Sequence, residues 1–169
     1  MLFSSQPKKV AVVGAGPAGL ACSTVAASRG HHVTLFEQAP EIGGQFNMAR
    51  KIPGKKEFDE TLRYFQGELE ATGVDLRLGR FAGVGDLDDF DEVVLATGVL
   101  PREPAIDGIG NSKVLGYIDV LAGHARVGQK VAVIGAGGIG FDMVEFLSHS
   151  GRGDDPTRTP GAFAREWGI

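Results

Sequence analysis

Two short stretches, "VAVVGAGPAGLA" at 10–21 and "VAVIGAGGIGFD" at 131–142, set the tightest limit on what this chain can fold into. Each leads four apolar, largely β-branched residues into Gly-x-Gly-x-x-Gly and then into residues that suit a helix. A buried strand, a sharp glycine turn and a helix together open a βαβ unit on a parallel sheet. The bare glycine pattern is common in a chain with 26 glycines, so the flanking strand and helix carry the inference. The glycines show no collagen period and no low-complexity block. They stand at junctions between apolar runs, where backbone turns tightly or approaches something closely.

Chemistry explains the spacing. Gly14 lets the chain turn out of its strand, Gly16 lets the main chain approach a pyrophosphate, and Gly19 lets the helix pack on the sheet. Amides at the helix start carry about half a positive charge and receive phosphate oxygens. Pro17 suits a first helical turn and Gly30 a left-handed cap, which predicts a helix from 17 to about 29. The strand "HVTLFE" follows at 32–37 and ends on Glu37, 23 positions after Gly14. A carboxylate there accepts from ribose hydroxyls and repels a 2′-phosphate, so the first cradle selects FAD or NAD over NADP. Gly135, Gly137 and Gly140 form a second cradle of the same kind. Its ribose reader belongs at the end of a further strand. Asp154 and Asp155 have about the right count, but their glycine- and proline-rich setting reads as loop, and NAD versus NADP stays open there.

Between the cradles, Phe58, Leu62, Phe65 and Leu69 define one face of a helix within 55–71. Strands are predicted at 73–79 and 91–98, joined by the turn-rich "FAGVGDLDDF", and "VLGYIDVL" reads as a short strand turning into a helix. The expected architecture is α/β: a Rossmann-like FAD/NAD(P)-binding fold with a parallel central sheet, then the start of a second such unit. The corresponding division is a leader at 1–8, a first dinucleotide-binding domain at 9–99, which the resemblance given below makes FAD-binding, a hinge at 100–128 and a truncated start of a second, NAD(P)H-binding domain at 129–169. The tail after 149 reads as turn-rich, without the second strand that the last helix needs.

Composition closes off other classes. A formal charge of −4, with no basic tract beyond Lys8-Lys9 and Lys55-Lys56, argues against nucleic acid. No apolar run has signal-peptide or bilayer-spanning length, so a cytoplasmic protein without membrane partners is expected. Cys22 is the sole cysteine, too few for a disulfide, a cluster or a structural zinc. With Ala18, Ala21 and Val25 it is expected on the buried face of the first helix, as an inert core thiol. His31, His32, His124 and His149 show no ligand spacing, so no metal site and no catalytic side chain is assigned.

The stretches "EIGGQFNMARKIPGKKEF", "ETLRYF", "PAIDGIGNSKVLGYIDVL", "VAVIGAGGIGFDMVEFLSH" and "EWGI" resemble the bacterial NADPH-dependent 2,4-dienoyl-CoA reductases, relatives of trimethylamine dehydrogenase, from about 8 to 169. The resemblance implies FAD in the first cradle and NADP in the second. In that family a preceding barrel domain carries FMN and an iron–sulfur cluster. NADPH reduces FAD, and electrons pass through the cluster to FMN and then to a dienoyl thioester of unsaturated fatty acid β-oxidation. Nothing here matches that barrel, so the chain is expected to be a fragment inactive on the acyl substrate, with the missing barrel as its partner. The resemblance further implies Ala18 beside the pyrophosphate, Glu37 on the ribose, and Gln45, after Gly43-Gly44, facing FAD. Lys55 would be a cationic contact to the cofactor or a solvated helix-start lysine. Ala82 would read adenine through its backbone, and Thr97 and Gly98 would allow close backbone approach or simply end a strand. The alternative is an ADP- or FAD-binding module of another two-dinucleotide flavoprotein, like trimethylamine dehydrogenase or the small subunit of glutamate synthase. Gln45 and its glycine pair favour a full flavin over ADP, and the 41–65 wording argues against glutamate synthase.

Overall fold

The computed structural model of the chain describes residues 3–149 and 159–168; Asp154 and Asp155 lie outside the described residues. Two compact units divide the described chain, Met1–Asn47 with Phe58–Glu103 and Met48–Glu57 with Pro104–Ile169.

The first unit is built on four parallel strands, β1 (Lys9–Val13), β2 (His32–Phe36), β3 (Asp75–Arg77) and β4 (Glu92–Leu95), in the order β3-β2-β1-β4. Register pairs Val12 with Leu35 on one side and with Val94 on the other. The central strands are the most apolar ones, as burial on both faces requires. Val12 and Leu35 are fully buried, and Val10, Val33 and Leu20 share their cluster with Ile42, Leu62 and Leu69. Helix α1 (Pro17–Ser28) links β1 to β2, with Arg29 as its C-cap and Gly30 at φ +93°. A short helix α2 (Phe46–Ala49) and the long α3 (Glu57–Thr72) come before β3. The expected α3 face appears: Leu62 and Leu69 are buried, Phe65 packs beside them, and the Phe58 ring lies 4.5 Å from that of Phe46.

The buried face of α1 differs from the sequence expectation. Gly19, Leu20, Ser23 and Thr24 turn inward, whereas Ala18, Ala21 and Val25 are exposed and Cys22 is half-buried. Gly19 decides this. A Cβ there would stand 1.8 Å from the carbonyl oxygen of Gly14 and 3.4 Å from Ala96 Cβ, so this residue must face the sheet. The helical period then carries residues 20, 23 and 24 inward with it.

In the second unit, α4 (Tyr117–Ala122), α5 (Gly138–His149) and α6 (Pro160–Trp167) are helical. Ile52, Leu121 and Met143 are its buried cluster, joined by Met48, Tyr117, Val120, Phe146 and Leu147. Three expectations change here. Residues 131–134 pair with no described strand, and Val131 and Ile134 are exposed. A strand needs a ladder partner to form, however β-prone its side chains are. Residues 114–116 form no strand ahead of α4; Gly116 is extended as its N-cap. The tail contains α6, which starts on Pro160, a residue that suits a first turn.

Replacing Gly19 with alanine would drive a methyl group into the Gly14 carbonyl. We expect Gly19→Ala to lower the unfolding free energy in urea by about 3 kcal/mol, the upper end of overpacking costs. An unchanged midpoint would contradict the close packing of α1 on β1.

Candidate functional site

The first cradle forms where β1 hands over to α1. Gly14, at φ +104°, turns the chain with a backbone conformation that side chains rarely adopt. The exit from β4 closes against it: a Cβ on Gly14 would meet the Ala96 carbonyl oxygen at 2.4 Å and Thr97 Cα at 3.2 Å. The Gly14 and Gly19 positions therefore have packing reasons to be glycine. Gly16 has none. Its backbone is extended, at φ −74° and ψ −179°, and an added Cβ would meet no protein atom within 4 Å. A residue that protein packing leaves free to carry a side chain, yet carries none, fits a surface kept bare for a ligand. Amides at the start of α1 have no intrahelical partner, so Ala18, exposed on the first turn, presents an N–H suited to a phosphate oxygen.

Glu37 follows β2, and the cradle holds its carboxylate. Oε2 accepts from the Ala15 amide at 2.7 Å and Oε1 from the Ala39 amide at 2.8 Å. Each oxygen keeps a further lone pair, so the group is oriented and still able to accept from a ribose diol. The loop after β2 also lies on the cradle. Gly43 donates its amide to Ala15 O at 2.8 Å, and a Cβ on Gly44, at φ +51°, would lie 3.1 Å from Gly16 Cα. Gln45 is exposed at the end of this loop, and its Nε2 donates to Val99 O at 3.4 Å, just past Thr97 and Gly98. Gly98, at φ +76°, and Thr97 are exposed beyond β4.

Ala82 sits half-buried before a short 3-10 turn at Val84–Asp86. Asp86 accepts from the Gly83 amide at 2.9 Å and pairs with Arg80 at 2.5 Å. That amide first, and Arg80 second, hold the Asp86 carboxyl below its ordinary value of 3.8. A carboxyl lowered in the folded state stabilises this turn above the ordinary value, and the contribution fades as pH falls through the lowered one.

The second cradle repeats the first within the other unit. Gly135 stands at φ +116°, a Cβ on Gly140 would lie 2.1 Å from Gly135 O, and Gly137 again faces open space. Phe141 donates to Gly137 O at 3.1 Å, as Leu20 does to Gly16 O at 2.9 Å. Lys55 lies in this unit, with Nζ 2.7 Å from both carboxylate oxygens of Asp142. Among the described residues there is no cluster suited to a metal and no helix long and apolar enough to cross a membrane. Three partners escaped the sequence reading. Ala39 and Ala15 contribute only backbone amides, which no side-chain identity reveals. Asp142 meets Lys55 across 87 residues, a separation that one sequence does not bridge.

A parallel sheet whose first strand ends in a bare, amide-lined turn, with a carboxylate at the end of the second, defines a dinucleotide-binding domain. The family model of the pyridine nucleotide-disulphide oxidoreductases matches residues 8–153, and the chain belongs to that family as an FAD/NAD(P)-binding domain of the flavoprotein oxidoreductase type. It is 36% identical over 160 residues to a metal reductase of Desulforamulus reducens, covering 91% of this chain and 24% of that protein. It is 38% identical over 152 residues to a cinnamate reductase of Clostridium sporogenes, covering 88% and 22%. A solved structure of 2-naphthoyl-CoA reductase with 2-naphthoyl-CoA superposes with a TM-score of 0.86 at 36% identity, over 89% of this chain and 23% of that one. The chain thus spans less than a quarter of the length of these relatives, between 22% and 24%.

The open side of Gly16 separates folding from binding. Gly16→Ala is expected to change unfolding stability by less than about 0.5 kcal/mol. The same change should weaken ADP or FAD binding at least about tenfold by calorimetry, because the methyl group occupies the diphosphate's place. Unchanged affinity would mean that the diphosphate lies elsewhere.

Proposed function

We propose that this chain is the FAD-binding and partial NAD(P)H-binding portion of a reductase resembling the NADPH-dependent 2,4-dienoyl-CoA reductases. In that role it receives hydride from NADPH and passes electrons toward a substrate-reducing domain. The carrying observation is the pair of bare glycines, Gly16 and Gly137, each open beside a helix-start glycine, Gly19 or Gly140, that packs hard on the turn. One chain with two such cradles suits two dinucleotides, a donor and an acceptor. The chemistry supplied there is hydride transfer from a nicotinamide to an isoalloxazine ring.

The chain's own residues position and select. Gly14 and Gly19 set the turn, the amides around Gly16 and Ala18 take the first diphosphate, and Glu37 takes the ribose and disfavours a 2′-phosphate. Gln45 and the Thr97-Gly98 exit are exposed beside the first cradle, and in this reading they face the part of FAD that extends past ADP. Gly135, Gly137 and Gly140 take the second diphosphate, that of NADP.

Substrate choice lies outside this portion. Proteins named for metal and for cinnamate match it over nearly the same length at 36% and 38% identity, so shared residues here do not track the named substrate. A 2-naphthoyl-CoA reductase matches the same portion at 36% identity, so a thioester substrate for the whole protein rests on the resemblance to the dienoyl-CoA reductases and not on this likeness. A role in unsaturated fatty acid β-oxidation, with FMN and an iron–sulfur cluster carried by a barrel partner, completes the proposal. An ADP-filled structural module is the second reading, favoured by Glu37 and the first cradle alone.

The visible spectrum of the purified chain, reconstituted with FAD and freed of excess, tests the assignment. Retained flavin absorption that bleaches on adding NADPH without oxygen is expected, together with no turnover of a dienoyl thioester. Tight ADP binding without flavin retention would favour the structural module, and thioester turnover by this chain alone would overturn the division of labour.

A further inference from the structure

We infer that Met48–Glu57 is a built part of the second cradle, with the Lys55–Asp142 pair as the latch that fixes the start of α5. The two cradles share a turn but differ in what seats the helix behind it. Helix α1 rests on the sheet, through Leu20 in the main cluster and Gly19 against Gly14 and Ala96. Ahead of α5, residues 131–134 have no ladder to a described strand, and Ile134 is 73% exposed.

The seat of α5 comes instead from the 48–57 strap, within the same unit. Ile52, 3% exposed, packs with Leu121 and with Met143 of α5. Lys51 Nζ donates to Leu121 O at 2.7 Å, tying the strap to α4. Lys55 Nζ reaches both oxygens of Asp142 at 2.7 Å, tying it to α5. The lysine and aspartate side chains are 38% and 32% exposed, so the pair is screened in part but shares two short, charge-assisted contacts.

Position on the helix gives the pair its meaning. Asp142 lies four residues after Gly138, the first residue of α5, or about 6 Å along the axis at the usual rise. A bare carboxylate that close to an anion-receiving helix start would oppose a diphosphate. Lys55 offsets that charge and holds the helix by the same contact. It is a positioning residue: it acts on the cradle through Asp142.

Hydrogen–deuterium exchange on the full 169-residue chain tests the latch without any nucleotide. The variants are Lys55→Met, Lys55→Arg and the exchanged pair Lys55→Asp with Asp142→Lys. In Lys55→Met, amides 141–146 should exchange about fivefold faster, the size of a partly exposed ion pair, while amides 20–25 of α1 stay within about twofold. Lys55→Arg and the exchanged pair should each restore the original rates at 141–146. Equal rates in Lys55→Met and the parent, equal acceleration in both helices, or failure of the exchanged pair would overturn the inference. Should Lys55→Met not fold, the exchanged pair decides: protection at 141–146 supports the latch and its loss overturns it. The consequence for nucleotide rests on the second-site reading above. NADPH titration should find Lys55→Met weaker and the exchanged pair restored. A parent that shows the exchange pattern but binds no NADPH overturns that reading while supporting the latch.

Discussion

The contact between Gly19 and the carbonyl of Gly14 is what the first unit is organised around. No Cβ fits between them, and only this approach lets α1 lie close enough to β1 for Leu20 to join Val12 and Leu35 in the core. The same contact sets the rotation of α1 and so decides which residues it buries. It also fixes where α1 begins, so the first-turn amides follow directly on the open backbone of Gly16. Core packing and anion binding are thus two results of one close approach.

Around that junction the chain adds selectivity by short local means. Glu37 reaches back from the next strand to the Ala15 amide, which ties the ribose-reading carboxylate to the turn itself. Gly43 and Gly44 bring the following loop onto the same turn, and the β4 exit closes over Gly14 from the other side. Three strand ends meet at one point, as expected of ligand sites beyond the carboxyl ends of parallel strands. The second unit reproduces the turn's angle and the close approach of its helix-start glycine, but nothing crowds Gly135 as the β4 exit crowds Gly14, and its helix is seated on α4 and the 48–57 strap.

The first unit was largely legible in sequence because its signals are local. Four apolar residues before Gly14, the glycine spacing, Pro17 and Gly30 each act within a few residues, and β1, α1 and β2 lie where they place them. The α3 face was legible for the same reason: Phe58, Leu62, Phe65 and Leu69 follow one helical period. Failures arose where tertiary contact outranks composition. Small apolar residues fill both sides of α1, so hydrophobicity alone misplaced Ala18, Ala21 and Val25, and the clearance at Gly19 settled the matter. Residues 131–134 have every strand propensity but no described partner. The Lys55–Asp142 pair and the backbone amides on Glu37 depend on the folded path, which single-residue chemistry does not encode.

The most direct measurement is a crystal structure of the chain with ADP. The account requires the diphosphate oxygens within hydrogen-bonding reach of the amides that follow Gly16, and the ribose hydroxyls on the Glu37 carboxylate. A diphosphate seated anywhere else, or a bound nucleotide with Glu37 turned to solvent, would contradict it.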